Sequence, residues 1–375
     1  MRFTLTEFSG SLGDLGTFLP LAAAMAAVNR MDLGTIFLFA GLMNITTGLL
    51  FRQPIPVQPM KAIAAVAIAE GLTSDQIAAS GMAMGIIVTT LACFGAVTWI
   101  DRVVPRPVIR GIQAGVGAAL VIKGLSWIFA LPLLSTDSVA LAVLFGLGTV
   151  VFSNRRFPII LLVFSIGVLL AVWNVGGALF VQNWSPPTLS LIVPSEHDWR
   201  IGILRGALPQ LPLTLLNSVL AVCALSGDLF PAKGIAPKKM AVSVGLMNLV
   251  SVPFGAMPMC HGAGGLAAQY RFGARTGGSV IMLGIAKVLV ALAMGAALLP
   301  LIDAYPRSLL GVMIIFAGIM LMKPAHESLR AYPSAAVMLI TATVIVLTGT
   351  LEGFIAGCVV AFMLHTARHI WMKPS

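Results

Sequence analysis

The chain has 375 residues, of which 58% are hydrophobic and only 10% charged, with a mean hydropathy of +0.99 and a formal net charge of +10. A soluble protein of this length could not cover its core with so few charges, so the composition excludes an ordinary soluble domain. The positive charge does not indicate nucleic-acid binding, because no basic patch is interleaved with aromatic residues.

Repeated apolar runs of about 20 residues indicate transmembrane helices. We therefore predict an all-α polytopic membrane protein with fourteen segments, of which the third and tenth are short. In chain order the predicted segments cover about 8–28, 33–50, 60–70, 76–100, 108–129, 139–152, 158–180, 203–225, 240–254, 262–270, 278–299, 308–321, 334–347 and 353–370. The interval 182–200 is predicted to be the longest polar connection. We expect no cleaved leader, because the first apolar run continues into the body of the protein.

Basic residues concentrate on one side of this topology. If the N-terminus is cytoplasmic, so are the connections after even-numbered segments. Those connections and the two termini hold sixteen of the 23 basic residues, namely Arg2, Arg52, Arg102, Arg106, Arg110, Arg155, Arg156, Lys233, Lys238, Lys239, Arg271, Arg275, Lys323, Arg330, Arg368 and Lys373. This positive-inside asymmetry predicts a multi-pass protein of the cell membrane with both termini in the cytoplasm.

An internal repeat relates the two halves of the chain. The tetrapeptide Gly-Leu-Met-Asn occurs at 41–44 in segment two and again at 245–248 in segment nine, and the stretch 10–15 has a weaker echo at 206–211. Each tetrapeptide precedes a proline-containing break and a short segment. Because seven segments separate the copies, and seven is odd, the copies are inverted in the membrane. Inverted repeats with matched short segments are typical of secondary transporters.

The short segments three and ten predict an anion site. About eleven residues span roughly half of the ~30 Å hydrocarbon core. A helix that starts there has unpaired N–H groups and a partial positive charge, which suit an anion held in a protein cavity. Pro59 loses no helical hydrogen bond at such a start, and Gly262 and Gly264 allow close approach to the backbone. Re-entrant turns that only pack are the alternative.

Polar side chains near these starts are candidate ligands, each with a structural alternative. Gln58 and His261 precede segments three and ten, where each contacts the anion or caps its helix. Asp14 is an intramembrane carboxylate that pairs with a base such as Lys61 or carries a proton. Lys61 attracts the anion or serves only as the partner of Asp14. Asn217 follows Gln210 by seven residues on one helix face, where both shape the pocket or bond to neighbouring helices.

Other polar residues are assigned structural roles. Snorkelling or an intrahelical role is expected for Lys123 and Lys287. Arg271 is expected to anchor segment ten at the membrane surface, with a role in anion exit as the alternative. The pair His365 and His369 lacks further ligands, and the four cysteines lie in apolar stretches without CxxC spacing, so we expect no metal site and no cofactor.

Four motifs resemble those of one transporter family. The stretches 10–17 (GSLGDLGT), 56–61 (PVQPMK), 260–265 (CHGAGG) and 269–275 (QYRFGAR) are similar to those of the molybdate transporter family, relatives of the SulP sulfate permeases. The resemblance implies a uracil-permease-like architecture of seven plus seven inverted segments. It also implies a core domain at 1–101 and 200–303 and a gate domain at 102–199 and 304–375. The substrate would lie between half-helices three and ten, flanked by segments one and eight.

Two departures from the SulP pattern stand out. Those permeases carry a carboxylate followed by serine on segment eight, where this chain has Asn217-Ser218. The departure puts ion coupling through that position in doubt. Related permeases usually end in a soluble regulatory domain, which we do not expect here because the chain stops soon after the last segment.

The predicted function is secondary active transport of a tetrahedral oxyanion, molybdate first and sulfate second, by alternating access and with a proton as a candidate co-substrate. Membrane lipid and a second copy of the chain are the other expected partners. A sulfate transporter or anion exchanger, a proton-coupled nucleobase carrier, an anion channel and a membrane-embedded enzyme are the alternatives, and an enzyme is disfavoured. The predicted substrate-binding residues are Asp14, Thr17, Gln58, Pro59, Met60, Lys61, Gln210, Asn217, His261, Gly262, Ala263 and Gly264.

Overall fold

Apolar helices dominate the structure. The computed structural model describes residues 1–98, 104–152, 159–176, 186–187, 189–330 and 332–371. We label the helices α1 (Leu5–Asn29), α2 (Leu33–Phe51), α3 (Lys61–Glu70), α4 (Ser74–Cys93), α5 (Arg106–Phe129), α6 (Val139–Phe152), α7 (Ile159–Val175), α8 (Glu196–Leu229), α9 (Pro237–Ser251), α10 (Ala263–Arg271), α11 (Gly278–Met294), α12 (Arg307–Met322), α13 (Ser334–Leu347) and α14 (Thr350–Trp371). Two short strands, β1 (Gln58–Pro59) and β2 (Met259–Cys260), precede α3 and α10.

The helix lengths fit a membrane protein. Within the described residues, six helices are long and apolar enough to cross a membrane: α1, α2, α4, α5, α8 and, with the turn that follows it, α12. The half-length of α3 and α10 confirms the prediction made from their sequences. Of the basic residues used to predict the topology, Arg102, Arg155, Arg156 and Lys373 lie outside the described residues.

Two predicted boundaries are wrong for local reasons. Helix α8 begins at Glu196, inside the interval predicted to be a polar connection. The Ser195 hydroxyl accepts from the Asp198 N–H, and the Asp198 carboxylate accepts from the Ser195 N–H, so a capping box starts the helix early. Helix α11 stops at Met294 rather than 299, because Gly295 takes a positive φ of 48° before a short helix, Leu298–Asp303.

Matching helix crossings relate the two halves. Helix α2 packs against α11, and α9 packs against α4, which is the same pairing with the halves exchanged. Glycines sit at both crossings, Gly41 against Gly284 and Gly245 against Gly85. Small residues allow backbones to approach closely where helices cross in a membrane. Elsewhere, α5 packs against α12 and α13, and α6 packs against α12.

The crossing of α2 and α11 should not tolerate a larger side chain. A Cβ atom at Gly284 would lie 2.5 Å from the Gly41 carbonyl oxygen. We expect Gly284→Val to destabilise the protein by about 1–3 kcal/mol through overpacking, measured as a lower melting temperature in detergent. Gly146→Val is the matched control, because a Cβ atom at Gly146 meets nothing within 4 Å. Equal melting temperatures for the two variants would contradict this expectation.

Candidate functional site

The starts of the two half-helices are held side by side by a strand pair. Strands β1 and β2 are antiparallel, with Gln58 opposite Cys260 and Pro59 opposite Met259. The Met60 N–H donates to the Pro258 carbonyl at 2.8 Å, next to the first residue of α3. The two short extended stretches pair each other's backbone N–H and C=O groups, which lipid could not do. The two half-helix starts therefore lie next to each other, as a substrate site between half-helices three and ten would need.

The repeated asparagine supports this strand pair from one half only. Asn248 Oδ1 accepts from the Met259 N–H at 2.8 Å, and Asn248 Nδ2 donates to the Met259 carbonyl at 2.6 Å. Asn44, its counterpart in the first half, instead accepts at 2.9 Å from the ammonium group of Lys287. Lys287 is 2% exposed, so the expected snorkelling or intrahelical role is wrong. Its bond joins α11 to α2.

The Gln58 side chain connects three of the predicted site residues. Its Nε2 donates to Asp14 Oδ1 at 2.5 Å and to Thr17 Oγ1 at 2.7 Å. Its Oε1 accepts from Lys61 Nζ at 3.3 Å. The second oxygen of Asp14, Oδ2, is buried and has no hydrogen-bond partner. Lys61 therefore bonds to Gln58 rather than to Asp14, and the expected direct pairing of Asp14 with Lys61 is not formed.

The cap of α3 comes from a distant residue. Gln58 does not cap this helix; its N-cap residue is Met60, without a side-chain cap of its own. The Gln210 Oε1 of α8 accepts from the Ala62 N–H at 2.8 Å and from the Ile63 N–H at 3.3 Å. Gln210 lies between two π-helical stretches of α8, Gly202–Ala207 and Thr214–Leu220. π-helical turns are frequent at functional sites.

His261 lies behind the strand pair. Its Nδ1 is 2.8 Å from the Pro56 carbonyl oxygen, and its Nε2 is 3.0 Å from Ser243 Oγ. The ring is fully buried and meets Phe51 edge-on. The N-cap residue of α10 is Gly262, with no side-chain cap bond, so the alternative in which His261 caps this helix is wrong. Both ring nitrogens are engaged within the protein.

A cavity of about 540 Å³ opens beside the two half-helix starts. Thr17, Lys61, Asn217 and Gly264 from the predicted site line it. The lining residues that sequence analysis did not assign to the site include Gly13, Gly16, Gln113, Gly265, Arg271, Phe316 and Lys323. Helices α5, α7 and α12 form the wall opposite α1, α3, α8 and α10.

The charge of this cavity has one sign. Lys61, Arg271 and Lys323 are the charged residues among its described lining, which includes no aspartate or glutamate. A cavity with cationic walls and few polar groups concentrates small anions. The other predicted site residues are not among the described lining. Ala263 is half-buried, and the rest are buried, namely Asp14, Gln58, Pro59, Met60, Gln210, His261 and Gly262.

A cluster of polar contacts lies at the other end of α3. The Glu70 carboxylate accepts from Arg205 of α8 at 3.1 Å and from the Thr350 hydroxyl of α14 at 3.3 Å. These residues line a cavity of 350 Å³ together with Lys123. The Lys61 and Glu70 ends of one half-helix therefore face separate cavities.

Comparison with known sequences identifies the family. The model described as "Molybdate transporter of MFS superfamily" matches residues 6–120 and 202–321. "Molybdate transporter 1" of Arabidopsis thaliana is 36% identical, covering 100% of this chain and 91% of that protein. The chain belongs to the molybdate transporter family. "Molybdate transporter 2" of the same plant is 37% identical over 97% of this chain and 88% of that protein. "Molybdate transporter 1" of Chlamydomonas reinhardtii is 34% identical over 96% and 91%.

Solved structures place this molybdate transporter family member in the SLC26/SulP fold. The transmembrane domain of the cyanobacterial bicarbonate transporter BicA matches 95% of this chain and 98% of its own length, with a TM-score of 0.70 and 18% identity. Murine SLC26A9, an anion transporter solved in the inward-facing state, matches 98% of this chain and 69% of its own length, with a TM-score of 0.70 and 13% identity. In another SLC26A9 structure this chain spans 65% of that chain's length, with a TM-score of 0.68 and 13% identity.

These comparisons confirm several predictions. The fold is the seven-plus-seven inverted-repeat fold, although the family description refers to another superfamily. As a member of the molybdate transporter family, the chain is a multi-pass membrane transporter rather than an enzyme.

Proposed function

We propose that this protein is a secondary active transporter of molybdate. The observation that carries the proposal is the cationic cavity at the two half-helix starts, in a chain whose family is one of molybdate transporters. A tetrahedral dianion placed beside Gly264 would meet backbone N–H groups of α10, and Lys61 would neutralise part of its charge. Thr17 and Asn217 would add neutral polar contacts. Neutral Asn217 would not repel a dianion, unlike a carboxylate.

The packing supports a division into two moving parts. We propose that α1–α4 and α8–α11, predicted as 1–101 and 200–303, form a core that carries the anion. The predicted gate, 102–199 and 304–375, would hold α5–α7 and α12–α14. Both cavities lie between these groups, as alternating access requires. We place the protein in the cell membrane with both termini in the cytoplasm. In that orientation the cavity near Arg271 and Lys323 opens to the cytoplasm, and the Glu70 contacts close the opposite, extracellular side.

A coupled proton would drive uptake. An anion that enters a negative-inside cell moves against about 2.3 kcal/mol per charge per 100 mV, so one co-transported proton would offset one of the two charges of the dianion and add the driving force of a pH gradient. Asp14 and His261 are the titratable candidates for carrying this proton. Both nitrogens of His261 are engaged, whereas Asp14 keeps one buried oxygen without a partner. We therefore propose that Asp14 carries the proton.

Competition in proteoliposomes tests the substrate. Labelled molybdate uptake should saturate, and excess tungstate should abolish it, because the two anions share charge, shape and size. Sulfate should compete more weakly, since it is smaller. Uracil should not compete, because the described cavity lining offers no carboxylate to bind ring nitrogens. Uracil competition without tungstate competition would reject the oxyanion assignment, and currents without saturable uptake would indicate a channel.

A further inference from the structure

Lys287 is a buried cation in only one of the two repeats. It follows Gly284 by three residues on α11, and Val88 follows the matching Gly85 by three residues on α4. Val88 is fully buried. The valine shows that the helix crossing itself needs no cation at this position. A buried charge is costly and marks function more often than packing, so Lys287 requires a role outside the crossing.

The surroundings of Lys287 point to Asp14. The Lys287 ammonium lies 3.6 Å from the centroid of the Phe18 ring and bonds to Asn44. Phe18 is one helical turn after Asp14 on α1, so ring and carboxylate share a face. Asp14 is fully buried and Lys287 is 2% exposed, so the two charges interact in surroundings of low dielectric. Lys61 lines the anion cavity, whereas Lys287 is not among its lining residues.

The net charge around Asp14 depends on whether Asp14 is protonated. Lys61 on α3 and Lys287 on α11 are the cations, Cys260 on β2 is a thiol, and Gln58 is neutral. With Asp14 ionised, the three charged groups sum to a single positive charge. With Asp14 protonated, they sum to two, which matches the charge of a tetrahedral dianion. Because the dielectric of the protein core is low, this change in net charge alters the electrostatic attraction felt by an anion at the site.

We propose that Lys287 is a positioning residue that supplies the second positive charge of the oxyanion site, masked by Asp14 until Asp14 takes up a proton. The inference rests on the proposed transport of a dianion with a proton. The proton comes from water on the uptake side, adds to a carboxylate oxygen of Asp14, and returns to water after the anion leaves. No other bond forms or breaks.

Initial rates of molybdate uptake at about pH 5.5 and about pH 7.5 test this proposal. The parent should take up molybdate faster at the lower pH. Lys287→Met should raise the KM by about tenfold or more, as expected for losing one charged partner, and should remove the pH dependence, because Asp14 without its cation stays protonated. Lys238→Met is the control; Lys238 is exposed, and its loss should change neither property.

Asp14→Asn provides a second readout if Lys287→Met does not fold. With Lys287 permanently unmasked, this variant should show pH-independent uptake with a KM below that of the parent and a lower kcat, because release is slowed. A Lys287→Met variant with the parent's KM and pH profile would overturn the inference, as would pH-dependent uptake in Asp14→Asn or pH-independent uptake by the parent. Each of these results leaves molybdate transport standing, whereas a parent that takes up no molybdate would reject the proposed function itself.

Discussion

Lys61→Met is expected to weaken molybdate binding by about 10- to 100-fold, the range for losing one charged hydrogen-bond partner in a partly dry site. Lys61 is the first residue of α3, lines the cavity and bonds only weakly, at 3.3 Å, to Gln58 Oε1. Its charge is therefore available to an anion. Binding of labelled molybdate to purified protein measures the loss, with the melting temperature recorded in parallel.

Lys323→Met is the matched control for Lys61. Lys323 lines the same cavity but is exposed, so solvent and salt screen its charge. We expect less than about a threefold loss of affinity for this variant. Equal losses in the two variants would show that the cavity attracts anions only through its overall charge, and would remove Lys61 from the binding site.

Gly265→Ala is expected to abolish uptake. A Cβ atom at Gly265 would collide with Gln58 Nε2 and lie 2.8 Å from Asp14 Oδ1. The Gln58 and Asp14 side chains would have to move away from this Cβ atom, and overpacking of this kind costs about 1–3 kcal/mol. We expect a lower melting temperature together with uptake below detection.

Gly264→Ala should change the shape of the cavity without changing the stability of the protein. A Cβ atom at Gly264 meets nothing within 4 Å and would project into the cavity. We expect an unchanged melting temperature and a weaker affinity, with molybdate affected more than the smaller sulfate. Parental affinity for both anions in Gly264→Ala would place the anion away from the start of α10.

The sequence was sufficient to predict the internal repeat and the two interrupted helices. The prolines and glycines around Gln58 and Gly262 marked both half-helices, and the repeated Gly-Leu-Met-Asn marked the inversion. These signals are local, since backbone conformation restricts which residues occupy a broken helix. The same logic failed at Ser195, where charges that suggested a loop instead form a capping box.

Contacts between distant helices could not be predicted. Gln210 caps α3 from 148 positions away, and Lys287 reaches Asn44 across 243 positions. Neither partner is marked by spacing or composition. Of the two roles left open for His261, capping is wrong because its ring bonds to Pro56 and Ser243, on segments that only the fold brings together.

Helix α3 is a rigid rod with a different task at each end. Ten residues at about 1.5 Å each make it about 15 Å long, too short to bend appreciably. Lys61 at one end faces the anion, and Glu70 at the other is bound to Arg205 and Thr350. In the proposed cycle, any displacement of the loaded end is transmitted undiminished to the Glu70 end. Movement of α3 as a rigid body would therefore couple occupancy of the anion site to breaking of the Glu70 contacts with Arg205 and Thr350. This coupling needs no relay of side chains between the two ends.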